Sequence, residues 1–148
     1  MPDPRAVEAF DAKIAERFLK ANEKLTGLPA FLGVRFTEFQ PGVLRAALEV
    51  REELLTPFKN LHGGVLSAVC DHVLGCVCYP HMKRGQWAAT TEFKLNLLAP
   101  VTQGKLRAEA EIVSLTRATA VVRIQVENEG RLAAIAQGTV LIRDPKPA

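Results

Sequence analysis

Asp71 lies midway along a run that is otherwise apolar, Gly63–Tyr79, where a carboxylate without a partner is costly. Burial raises a carboxylate's pKa toward the range useful to a general base or acid; the bland alternative is a structural Asp bonded to a neighbouring strand or His. His62-Gly63-Gly64 stands where a loop turns into the same run. The first N–H groups of a helix have no internal partner and lie at the positive end of its dipole, and glycine lets a substrate oxygen approach them closely. The triplet therefore offers an oxyanion hole or anion site, or else a tight turn that needs glycine. Gly63 and Asp71 are eight residues apart, about 12 Å along a helix at 1.5 Å per residue. A carbonyl-polarising donor and a base must both reach one substrate carbonyl, which these two cannot do within one chain. A joint reaction requires Asp71 of one subunit to face Gly63 of another, in a two-fold dimer with two equivalent sites.

The other candidates are weaker. His62, His72 and His81 with Asp71 show no metal-ligand spacing, so neither metal nor cofactor is expected. Cys70 beside a His could be a nucleophile, but an apolar run keeps its thiol protonated; Cys76 and Cys78 read as small core residues. Trp87, Tyr79 and Phe93 line either a pocket for an apolar or aromatic group or the core. Lys83 and Arg84 read as a solvated loop or a phosphate contact.

The elements that must position these residues follow from periodicity. Residues 4–25 read as one helix, with Val7, Phe10, Ile14 and Phe18 on one face, ended by Thr26-Gly27-Leu28-Pro29. Two extended runs joined by Pro41-Gly42 follow, the second being Val43–Arg51 with Leu44, Ala46, Leu48 and Val50 on its apolar side. Residues 52–60 are a loop. The run from Gly63 is a helix apolar on nearly every side, which predicts burial on every side. Strands follow around 92–96, 105–112, 122–126 and 131–143, with Glu127-Asn128-Glu129-Gly130 as a hairpin turn. An antiparallel sheet, strongly curved and wrapped around the apolar helix, satisfies both kinds of element.

Composition bounds the class. A chain of 148 residues with 48% apolar content suits a single domain, residues 1–148, and excludes disorder. A net charge of +3 with no basic stripe argues against nucleic acid. Three bunched cysteines read as reduced, and Met-Pro-Asp-Pro is no signal peptide. The apolar run, about 17 residues, falls short of the roughly 20 a membrane span needs. A soluble cytoplasmic protein is the expectation.

The pattern Leu61-His62-Gly63-Gly64-Val65 with Asp71 resembles the hotdog-fold thioesterases, in particular the PaaI-like acyl-CoA thioesterases. Thr90-Thr91-Glu92-Phe93-Lys94-Leu95-Asn96-Leu97-Leu98-Ala99-Pro100 is similar to that family's long strand after the helix, and Ala136-Gln137-Gly138-Thr139 to its closing strand. The resemblance spans about 30–143, with the helix of residues 4–25 as an addition that covers the sheet's end, extends a dimer interface or closes over an acyl pocket. It implies an α+β hotdog fold and hydrolysis of an acyl-CoA to free acid and CoA, in a homodimer or a dimer of dimers. Asp71 would activate water or attack directly, and the Gly63 N–H of the partner chain would polarise the carbonyl. Thr90 would hold the water and His62 would orient. Pantetheine would run along Leu97-Leu98-Ala99-Pro100, past Gly64, and the phosphates would lie near the turn carrying Thr116 and Arg117. Several members have an Asn or Gln six residues before the His; here that position is Thr56, and either Asn60 substitutes from a shifted loop or the Gly63 N–H acts with less help. Two other readings remain: a hotdog dehydratase using His62, and a non-catalytic acyl-CoA-binding dimer.

Overall fold

The computed structural model describes residues 1–147. Three short helices, α1 (Pro4–Ala9), α2 (Ala12–Lys20) and α3 (Gly27–Leu32), precede strands β1 (Arg35–Gln40) and β2 (Val43–Glu49). Helix α4 (Gly63–Cys76) follows, then β3 (Trp87–Leu97), β4 (Lys105–Leu115), β5 (Thr119–Asn128) and β6 (Arg131–Arg143). The strands form one six-stranded sheet in the order β1-β2-β4-β5-β6-β3, antiparallel throughout. The expected antiparallel sheet around a central helix is therefore present, with β3 at one edge.

Alternation builds the core. Leu44, Ala46 and Leu48 of β2, Leu106, Ala108, Ala110 and Ile112 of β4, and Val122, Ile124 and Val126 of β5 are all buried. They meet Leu66, Val69, Cys70, Val73 and Leu74 of α4. The β5–β6 turn puts Glu129 at φ 50° and Gly130 at φ 79°, the two positive values that a two-residue hairpin turn of this hand requires.

Three expectations need correction. The N-terminal helix is broken at Phe10, whose backbone is extended, because Asp11 begins a new helix. The Asp11 side chain accepts from the N–H groups of Lys13 and Ile14, and its own N–H donates to Pro80 O at 2.8 Å, so α2 is docked on the turn at 79–81. The segment expected to end that helix instead forms α3, closed by Gly33 at φ 79°. Finally, α4 is not buried on every side. One sheet covers one side of a helix, and on the other side Gly64 and Asp71 are exposed, with Ser67 and Ala68 half-buried.

The apolar stretch is also longer than the sequence reading allowed. Gly63–His81, 19 residues, is long and apolar enough to cross a membrane by length and composition alone. In this fold its regular helix ends at Cys76, and its core side chains are buried against the sheet.

Candidate active site

His62 caps α4. Its Nδ1 accepts from the Gly64 N–H at 2.8 Å, so the neutral ring carries its proton on Nε2. The cap leaves the Gly63 N–H, at the first helical position, without an acceptor among the described residues. A Cβ on Gly64 would lie 2.9 Å from the His62 ring, so glycine at 64 makes room for the cap. A Cβ on Gly63 would meet only the tip of Leu97, at 3.0 Å. Gly63 therefore presents a bare donor beside the far end of β3.

The Asp71 carboxylate is exposed on the single chain, contrary to the burial expected of it. The stripe of α4 that carries it is made of glycine, serine and alanine, with α3 and β3 at its sides and Gly64 and Asp71 left exposed. Asp71 opens onto a cleft shared with Gly64, Ser67, Thr90 and Phe93. Thr90 reaches that cleft because of a bulge. Thr90 pairs with Val140 and Glu92 with Thr139, leaving Thr91 as the extra residue. The bulge switches strand parity, so Ala88 before it and Phe93 and Leu95 after it all pack on the core. Gly138 on β6 permits this approach: a Cβ there would lie 2.5 Å from Glu92 O and 2.6 Å from a Leu74 methyl.

Beside Asp71 an apolar recess of about 190 Å3 is lined by Leu28, Pro29 and Leu32 of α3 with Val34 and Ala68. The sequence reading missed α3, Ser67 and Ala68 as site-forming. The one-turn signal was present in Thr26 before the segment, Pro29 within it and Gly33 after it.

The neighbouring titratable groups are held neutral. Burial pushes the Cys70 and Cys76 thiols up to about 12, with the Asp71 charge adding to it. Burial pushes the Cys78 thiol up to about 12 as well. Burial also lowers the His72 pKa, against a smaller opposing pull from Asp71, and the ring stacks on Phe36 at 5.2 Å. A cysteine nucleophile thus has no support here. Among the described residues no group of three His, Cys, Asp or Glu side chains is placed to hold a metal.

The remaining expected residues divide between two ends. Asn60 is held by Thr56, whose hydroxyl donates to Asn60 Oδ1 at 2.9 Å, so the asparagine NH2 has no acceptor among the described residues. Leu98 and Pro100 are exposed just beyond Leu97, at the Gly63 end. Thr116 and Arg117 sit in a tight turn at the other end, where Thr116 Oγ1 accepts from the N–H groups of Ala118 and Thr119. Thr119 pairs with Leu141, and Leu141 with Ala89. Ala89 and Leu97 are eight residues apart, about 26 Å at 3.3 Å per residue. One chain does not bring Leu98 and Arg117 together.

Comparison with known proteins identifies the family and the fold. The family model described as Thioesterase superfamily matches residues 58–135, the stretch from before His62 through most of β6's first half. The proofreading thioesterase EntH of Klebsiella pneumoniae is 30% identical over 109 residues, 74% of this chain and 79% of that one. A 1,4-dihydroxy-2-naphthoyl-CoA hydrolase of Listeria monocytogenes is 26% identical over 118 residues, 79% of this chain and 96% of that one. The solved PaaI protein of the E. coli phenylacetic acid degradation operon superposes with a TM-score of 0.81 at 19% identity, over 91% of this chain and 90% or more of its own length (97%), and shares the hotdog fold. The chain belongs to the thioesterase superfamily of hotdog-fold thioester hydrolases.

Proposed function

We propose that the protein hydrolyses acyl-CoA thioesters at sites shared between two subunits. The single observation that carries this reading is the combination of a Gly63 N–H without an acceptor among the described residues and an Asp71 carboxylate left exposed on its own chain. The Gly63 N–H polarises the thioester carbonyl and stabilises the oxyanion that forms when water adds. Asp71 takes the proton from that water, with Thr90 holding it; direct attack by the carboxylate is the other form of the same reaction.

The two-fold supplies what one chain lacks. An edge strand such as β3 offers unpaired backbone groups to a second copy. Antiparallel pairing of β3 with itself would bring the Leu97 end of one subunit beside the Trp87 end of its partner. Gly63, Leu98 and Pro100 would then share a site with Asp71, Thr90, Thr116 and Arg117 from the other chain. The Asn60 NH2, steadied by Thr56, is a second donor for the carbonyl in place of the amide absent at 56. The recess formed by α3 takes the acyl group. Its 190 Å3 compares with an apolar cavity of roughly 150 Å3 that holds benzene, which favours a small ring or short chain. Back-to-back pairing of two such dimers gives the tetrameric form of this reading, and the bunched neutral thiols suit a cytoplasmic setting.

His62 spends its Nδ1 on the helix cap, which favours hydrolysis over dehydration by an imidazole base. Thiol release over a panel of acyl-CoAs tests the proposal. Free CoA with free acid is expected, most rapidly from small acyl groups; an enoyl thioester as product, or acyl-CoA bound and returned intact, would contradict it.

A further inference from the structure

A second cleft, of about 580 Å3, lies between α2 and the turn that leads into β3. Lys13 and Arg17 form one wall, four residues apart on the same face of α2. Lys83 and Arg84 form the other. Both walls are fixed. The Asp11 N–H bond to Pro80 O docks α2, and the turn is closed by the Lys83 N–H on Gln86 Oε1 and the Gln86 N–H on Lys83 O. The floor is apolar, with Phe18 packed on Tyr79 at 5.4 Å.

Among the described residues none of these four cations forms an ion pair. One acid, Asp11, also lines the cleft, its Oδ1 turned to the cap of α2, and Asp144 accepts from Gln86 Nε2, so the cations outnumber the lining acid four to one. Four like charges converging on one cleft repel one another unless an anion neutralises them. The rim of the cleft also leads into β3. Gln86 on its rim is four residues before Thr90, about 13 Å along the strand, and the Tyr79 hydroxyl in its floor accepts from the Ala88 N–H at 3.5 Å. An extended pantetheine arm bridges such a span.

We propose that this cleft binds a phosphorylated nucleotide, the 3′-phospho-ADP end of the CoA substrate, with Lys13, Arg17, Lys83 and Arg84 on its phosphates and the adenine against Phe18 and Tyr79. The assignment gives α2 a function and rests on the acyl-CoA reading above. Arg117 alone is one cation against several phosphates; the cleft supplies the rest.

The test uses the full chain, with adenosine 3′,5′-bisphosphate as probe and two substrates, an acyl-CoA and the same acyl thioester of N-acetylcysteamine, which has no phosphate. The variants are Lys83→Glu with Arg84→Glu, and Lys13→Glu with Arg17→Glu on the opposite wall, all exposed positions. The wild type should bind the bisphosphate, and each double reversal should weaken it about tenfold or more. KM for acyl-CoA should rise by about the same factor with kcat held, while KM for the truncated thioester stays put. A wild type that hydrolyses acyl-CoA, with variants whose KM values are unmoved or rise equally for both thioesters, overturns the cleft and leaves the thioesterase reading standing. A wild type that releases thiol from no acyl-CoA, yet binds the bisphosphate and loses it on reversal, overturns the reaction and keeps the cleft as a nucleotide site.

Discussion

The two sides of α4 have opposite fates. On the side toward the sheet, Val69, Cys70, Val73 and Leu74 are buried, and the titratable groups nearby are kept neutral. On the open side, Gly64, Ser67, Ala68 and Asp71 form a shallow stripe of small residues around one exposed carboxylate. Chemistry needs a charge that can act and a surface that can be covered when substrate arrives. The buried side supplies neither, since dehydration suppresses every ionisation there. The open side supplies an exposed charge, and in the proposed reading a partner subunit supplies the cover. The helix is thus a finished core element on one face and, on the proposed reading, half of a site on the other.

That contrast predicts a double dissociation. Asp71→Asn should lower kcat by about a thousandfold, the range expected for loss of a positioned base or nucleophile, with little loss of unfolding free energy, because the Asp71 side chain has no hydrogen-bond or ion-pair partner among the described residues of its own chain. Measured by thiol release and urea unfolding, a large stability loss in this variant would break the comparison. On the other face, Leu74→Ala should cost about 3 kcal/mol in the same unfolding experiment, since Leu74 is fully buried and packs over Gly138. Its kcat per folded molecule should stay within a few-fold of wild type.

The smallest effect sharpens the role of the helix entrance. His62→Ala removes the cap, about 1 kcal/mol, and leaves two competing bare N–H groups where there was one, so activity should fall modestly. His62→Asn keeps a side-chain acceptor at the cap and should recover both stability and rate. If the asparagine variant is as inactive as Asp71→Asn, His62 takes part in the chemistry itself and the capping account fails.

How much of this was legible follows from residue size and parity. The strands were, because Leu44-Arg45-Ala46 and Leu106-Arg107-Ala108 alternate between apolar and charged, and burial follows suit. Gly63 and Asp71 stand out as candidates by type and spacing. The openness of Asp71's surroundings was not legible, since Ala68 and Val65 count as apolar wherever they point, and small residues suit a core as well as a waiting interface. The Thr91 bulge was hidden because Thr90 and Phe93 have opposite parity in a regular strand, so only the pairing shows that both face the helix. The break at Phe10 was masked by the helical spacing of Phe10, Ile14 and Phe18, although Asp11 two residues before Lys13 is a capping signal.

The central claim is that each site takes Gly63 from one subunit and Asp71 from another. Gly63→Pro removes the donor, since proline is tolerated at the first helical position and His62 already has the extended backbone that precedes proline; the added ring shifts the flexible tip of Leu97, 3.0 Å from a Cβ at 63. Mixing Gly63→Pro chains with Asp71→Asn chains, each inactive alone, and unfolding and refolding them together measures the sharing directly. Random pairing makes half the dimers mixed, each with one intact site, so about a quarter of wild-type activity should return. No recovery in mixtures shown to contain mixed dimers would mean that both groups act within one chain, and would contradict the account.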